Sequence, residues 1–62
     1  MYVFHQENIL IVVCGNRAVV KYKDMVTSFR LEDADRALGA FPEKFRKFVK
    51  QHLALATGEK EG

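Results

Sequence analysis

The stretch ILIVVC, residues 9–14, constrains this chain more than any other part of it. It is apolar at every position, so a strand made from it is buried on both faces and belongs in the middle of a sheet. It is far short of the roughly 20 residues a membrane helix needs. Turn formers close both ends: Asn8 precedes it, and Gly15-Asn16 follows.

A central strand needs neighbours, and the flanking sequence supplies them. YVFH (2–5), RAVVKYK (17–23) and MVTSFRL (25–31) are rich in β-branched and aromatic residues. QEN (6–8) reads as a three-residue loop, with Asn8 suited to a left-handed conformation. Gly15-Asn16 reads as a two-residue turn in which Gly15 takes a positive φ, and Lys23-Asp24 as a third turn. Loops this short force antiparallel neighbours.

Past Leu31 the composition changes to helix formers. EDAD (32–35) puts acids where the positive end of a helix dipole favours them. Gly39 interrupts, and Phe41-Pro42 restarts, because proline suits a first helical turn. The second helix is expected over 42–56, with Gly58 just past its end. The predicted fold is therefore α+β. A four-stranded antiparallel β-meander is followed by a C-terminal helical segment, a short helix plus a longer one, packed on one sheet face. Residues 1–57 are expected to form a single compact domain, and 58–62 a frayed C-terminal tail.

A chain of 62 residues buries only about 60% of the surface its unfolded form exposes. Part of its stability is thus expected from a partner or from self-association. The single cysteine excludes an intrachain disulfide and fits a reducing compartment. No cationic segment followed by an apolar one begins the chain, so no secretory signal is read there. The expectation is a soluble, cytoplasmic protein with no membrane partner. A net charge of +2 is mildly basic, less so than dedicated nucleic-acid binders often are, and leans toward that class without deciding.

KFRKFVK (44–50) interleaves phenylalanines with cations, a pattern shared by nucleic-acid surfaces and amphipathic helices. At about 100° per residue, Phe41, Phe45, Phe48, Val49, His52, Leu53, Leu55 and Ala56 fall on one stripe. Lys44, Arg46, Lys47, Lys50 and Gln51 fall outside it. The phenylalanines therefore face a core and the cations face water, and Glu43 is placed to pair with Lys47 one turn on.

Strand alternation assigns the sheet faces. With the loops above, His5 lies across from Ile9, Val3 from Ile11, Val13 from Ala18, Val20 from Thr27 and Tyr22 from Met25. One face then carries Val3, Ile9, Ile11, Val13, Ala18, Val20, Tyr22, Met25 and Phe29, and it takes the helix stripe. The other carries Tyr2, Phe4, Leu10, Val12, Cys14, Val19 and Val26, with Arg17, Lys21, Ser28 and Arg30 beside them. One helical layer cannot cover both faces, and an apolar second face marks an interaction site.

Three readings follow from that second face. The first is protein–protein association, as a homodimer or as an inhibitor or adaptor of another protein, through Tyr2, Phe4, Leu10, Val12, Cys14, Val19 and Val26. The second is single-stranded DNA or RNA binding, with Tyr2 and Phe4 stacking on bases and Arg17, Lys21 and Arg30 meeting phosphates. The meander-then-helix plan is similar in outline to small single-stranded-DNA-binding domains, without a shared residue motif. The third is a small closed barrel whose interior absorbs both faces.

Nothing in the residues calls for an enzyme, a cofactor, a metal or a small-molecule substrate. Cys14 reads as a small hydrophobe, and His52 as a core-edge histidine. His5 and His52 are too far from each other and from Cys14 in sequence for a zinc signature. Glu32, Asp33 and Asp35 are explained as helix-start charges.

Overall fold

The computed structural model describes residues 1–58. Four strands, β1 (Tyr2–Gln6), β2 (Ile9–Cys14), β3 (Arg17–Tyr22) and β4 (Met25–Arg30), form one antiparallel sheet in the order β1-β2-β3-β4. A 3₁₀ turn (Leu31–Asp33), the short helix α1 (Ala34–Ala37) and a second 3₁₀ turn (Leu38–Ala40) lead to the long helix α2 (Glu43–Thr57). The α+β meander expected from the sequence is the fold observed. The tail expected over 58–62 lies outside the described residues beyond Gly58.

Two of the hairpins form as their turn residues dictate. Gly15 opens the β2–β3 turn at φ 64°, and Lys23 opens the β3–β4 turn at φ 57°. The second residue of each turn is not in the left-handed region, the pattern of a type II′ hairpin. Glycine adopts this conformation freely, whereas lysine does so against its Cβ. The β3–β4 register matches the expectation, with Val20 opposite Thr27 and Tyr22 opposite Met25.

The β1–β2 hairpin departs from it. Its loop is two residues, Glu7-Asn8, so Gln6 lies opposite Ile9 and Phe4 opposite Ile11. Neither loop residue has a positive φ. This one-residue slip reverses the sides of β1. Tyr2 and Phe4 lie on the helix-covered face, and Val3 and His5 on the other.

The core is the seam between the sheet and the helical layer. Ile11, Val13, Ala18, Val20 and Phe29 meet Leu38, Phe41, Phe45, Val49 and Leu53, all buried. Pro42 is the extended N-cap of α2 rather than part of its first turn, so the helix runs one residue later than expected, and Gly58 ends it at φ 79° as the stop signal requires. Most of the expected helix stripe is buried or half-buried. Leu55 is the exception at 67% exposed; at about 80° from Phe45 it stands at the margin of the stripe.

The slip of β1 builds an aromatic layer under α2. The Phe4 ring lies 4.2 Å from His52 and 5.6 Å from Phe48, centre to centre. Tyr2 Oη lies 2.6 Å from His52 Nδ1, which gives each half-buried polar group a partner. At the other end of the helix, Tyr22 stacks on Phe45 at 4.2 Å.

Candidate functional site

The face of the sheet turned away from the helices is open. Val3, Val12, Val19 and Ser28 form one row across it, from β1 to β4. His5, Leu10, Lys21 and Val26 form the next row toward the β1–β2 turn, and Cys14, Arg17 and Arg30 close the opposite end. Val3 is 57% and Val26 63% exposed, while Leu10, Val12 and Val19 are half-covered by their neighbours. The result is a contiguous aliphatic patch with cations at both ends.

Five of the seven expected interface residues stand on this face: Leu10, Val12, Cys14, Val19 and Val26. Tyr2 and Phe4 do not, because the two-residue β1–β2 loop turns them under α2. Val3 and His5 take their places. The three cations expected there, Arg17, Lys21 and Arg30, are on the face and exposed. They have lost the aromatic neighbours that the stacking arrangement required. Cys14 is an exposed free thiol at the rim, not a packed hydrophobe.

The charges of the open face are nearly uniform in sign. No carboxylate lies on its strand positions. Arg17 and Arg30 stand directly opposite each other, an unfavourable like-charge pair. Arg17 donates a long hydrogen bond to Ser28 Oγ at 3.5 Å, and Arg30 has only a 3.8 Å contact to the exposed Glu32.

The helical side is more balanced. Glu43 pairs with Lys47 at 3.8 Å, Asp33 with Arg36 at 3.9 Å, and Asp35 with Lys50. The hydrogen bond and charge of Lys50 hold the Asp35 carboxyl below its ordinary range. Arg46 donates to the Phe41 carbonyl at 2.7 Å. Lys47, Lys50 and Arg46 are thus engaged in holding the helix, as the separation of cations from phenylalanines implied. Glu32, Asp33 and Asp35 do not converge: they spread over the 3₁₀ turn and α1, each with its own cationic partner, Arg30, Arg36 and Lys50 respectively.

A shallow groove lies between the chain leaving β4 and the last turns of α2, floored by Leu31, Leu53 and Ala54 and bordered by the Asp35–Lys50 pair. It is open along its length, and its Lys50 is already paired with Asp35. Among the described residues, no helix is long and apolar enough to cross a membrane. The chain matches no family model, no curated protein and no solved structure.

Proposed function

We propose that this chain is a small, non-enzymatic binding module that docks on another protein through the open face of its sheet. The observation that carries the reading is the aliphatic patch Val3, Leu10, Val12, Val19 and Val26, left uncovered while the opposite face packs its core against the helices. Magnitudes narrow the partner. Fully burying a large aliphatic side chain contributes about 1.5–3 kcal/mol, and these are already partly covered, so the patch offers roughly 5 kcal/mol. Association itself costs about 4–15 kcal/mol. Apolar burial alone therefore gives weak binding, and the cations must add to it.

Arg17, Lys21 and Arg30 fit a partner that surrounds an apolar centre with carboxylates. The same uniform charge opposes stacking two copies face to face. Without Tyr2 and Phe4, a single-stranded nucleic acid would have phosphate contacts but only the His5 ring to stack a base on, so the protein reading is favoured. The lone exposed thiol of Cys14 supports a reducing, cytoplasmic setting.

The test uses Val12→Asp, which puts a carboxylate in the middle of the patch, and Arg17→Glu with Lys21→Glu, which reverses the rim. Both changes lie on the open face, and neither should cost more than about 1 kcal/mol of stability. Fluorescence enhancement of 8-anilinonaphthalene-1-sulfonate, an apolar anion, should fall severalfold in each. A partner captured by the immobilised wild type should be lost by both variants. Unchanged dye and partner binding in Val12→Asp refutes the reading.

A further inference from the structure

We infer that two copies of this chain join edge to edge through β4, strand against antiparallel strand about a two-fold axis at Thr27. This uses a different surface from the open-face reading and does not depend on it.

The outer edge of β4 is unprotected. Backbone groups along a strand point alternately to its two sides. The amide of Leu31 bonds the Asn16 carbonyl at 2.8 Å, continuing the β3–β4 ladder. Leu31, Phe29, Thr27 and Met25 therefore aim their backbone groups at β3, and Arg30, Ser28 and Val26 aim theirs outward. The Arg30 carbonyl is taken up by the 3₁₀ turn that follows it, but no described backbone group outside the sheet bonds to Val26 or Ser28. An edge of this kind is a template for another strand, and proteins that keep it free usually break it with a lysine, proline or bulge. Residues 25–29 contain none of these, and Val26 and Met25 are exposed along it.

The sequence of β4 is complementary to itself in one register. With Thr27 opposite Thr27 of the twin, Val26 meets Ser28, Met25 meets Phe29 and Asp24 meets Arg30, each twice by symmetry. Every pair matches face with face, as antiparallel neighbours must. The outward backbone groups of Val26 and Ser28 then bond each other across the axis. The charges select this register. Sliding the twin by two residues sets Asp24 against Ser28 in one direction and Glu32 in the other. The Asp24 carboxylate of the twin also answers a local need, because Arg30 faces Arg17 and has only the distant Glu32 to offset it.

The other edge is a poorer candidate. The amide of Lys23 bonds the Asn8 carbonyl, which by the same alternation leaves only Val3 and His5 of β1 aimed outward. Nothing charged on β1 fixes a register. The proposed dimer has a consequence for the open face. A two-fold axis normal to the sheet keeps both open faces on one side, so the two aliphatic patches adjoin at Val26 and form one surface of doubled width.

Charge exchange tests the pairing. Asp24 and Arg30 of one chain are about 20 Å apart along the strand at roughly 3.3 Å per residue, so rescue between them cannot be internal. Light scattering after size exclusion, over a concentration series to the millimolar range, should show a concentration-dependent dimer for the wild type. Asp24→Arg and Arg30→Asp should each weaken it at least tenfold. An equimolar mixture of the two variants should dimerise again, since both cross-pairs become complementary, and so should the double variant. Ser28→Pro, which removes an outward amide and no ladder bond, should be monomeric with an unchanged circular dichroism spectrum. Val12→Asp should remain a dimer. A wild type that is monomeric throughout the series overturns the proposal, as does a dimer indifferent to Asp24→Arg. A dimer lost in Val12→Asp but kept in Asp24→Arg overturns it too, and places the twins face to face.

Discussion

The side on which β1 shows its aromatics can be decided by comparing Phe4→Ala with Val3→Ala. Truncating a buried phenylalanine to alanine costs about 3–5 kcal/mol. Phe4 is half-buried and its ring touches those of His52 and Phe48, so a loss of about 2–3 kcal/mol is expected. A domain of this size holds roughly 3–9 kcal/mol in all, at about 0.05–0.15 kcal/mol per residue. The variant should therefore lose about a fifth or more of its stability, and Tm should fall by about 10–20 °C. Val3 is 57% exposed and points away from the helices. Val3→Ala removes little buried surface, and its cost should stay under about 1 kcal/mol. Urea unfolding followed by far-ultraviolet circular dichroism measures both on one scale. If Val3→Ala costs as much as Phe4→Ala, then β1 is paired one residue out of the described register, and the aliphatic composition of the open face is wrong with it.

Two further outcomes follow from local geometry. Lys23 holds a left-handed φ that glycine adopts without strain, and its contact with the Tyr22 ring, at 5.4 Å, is a small exposed one. Lys23→Gly should stabilise the domain by about 0.5–1 kcal/mol and raise Tm by about 2–6 °C, and any fall in Tm argues against the turn. Because Lys50 depresses the Asp35 pKa in the folded state, the pair contributes stability above the unfolded carboxyl value and loses it as pH falls through the folded one. Lys50→Gln should return the Asp35 titration, followed by carboxyl carbon NMR, to the ordinary range, and the stability gap to wild type should close in acid. Identical Asp35 midpoints in the two proteins would remove the ion pair from the description.

Which parts of this molecule were legible follows from how many ways each segment can satisfy its own chemistry. Gly15-Asn16 admits one turn, and ILIVVC admits one position in the sheet, so β2 and β3 were fixed by residues alone. The helix start at Phe41-Pro42 and stop at Gly58 were equally unambiguous. Leu38 was not anticipated in the core, because a segment broken into two 3₁₀ turns and a single turn of α-helix has no period from which to read a buried side. The start of the chain was ambiguous in another way. Tyr2, Val3 and Phe4 are all apolar, so either parity puts hydrophobic groups inside, and QEN serves as a loop of two residues or three. A signal was present nonetheless. The three-residue loop places His5 beside Val3 in the core, whereas the two-residue loop places two large aromatics there, and the larger apolar area wins. The helix then supplies partners of matching shape, Phe48 and His52, that no strand-level reading contains.

The same single step decides what the open face can hold. Had Tyr2 and Phe4 stayed outside, flat rings would lie beside Arg17 and Lys21, the combination that grips unpaired bases. With Val3 and His5 there instead, the surface offers short aliphatic groups, one imidazole and guanidinium groups, which suit the proposed protein partner better than unpaired bases. On that proposal, partner class follows from the length of one hairpin loop, and changing that length tests it. Inserting a glycine between Glu7 and Asn8 should let β1 pair in either parity. Chains that adopt the shifted parity should gain affinity for single-stranded oligonucleotides and lose at least as much stability as Phe4→Ala, since the shift takes both Phe4 and Tyr2, with its contact to His52, from beneath α2. An insertion that lowers stability with no gain in oligonucleotide binding would show that cations and rings on one face are insufficient, and that loop length governs only the core.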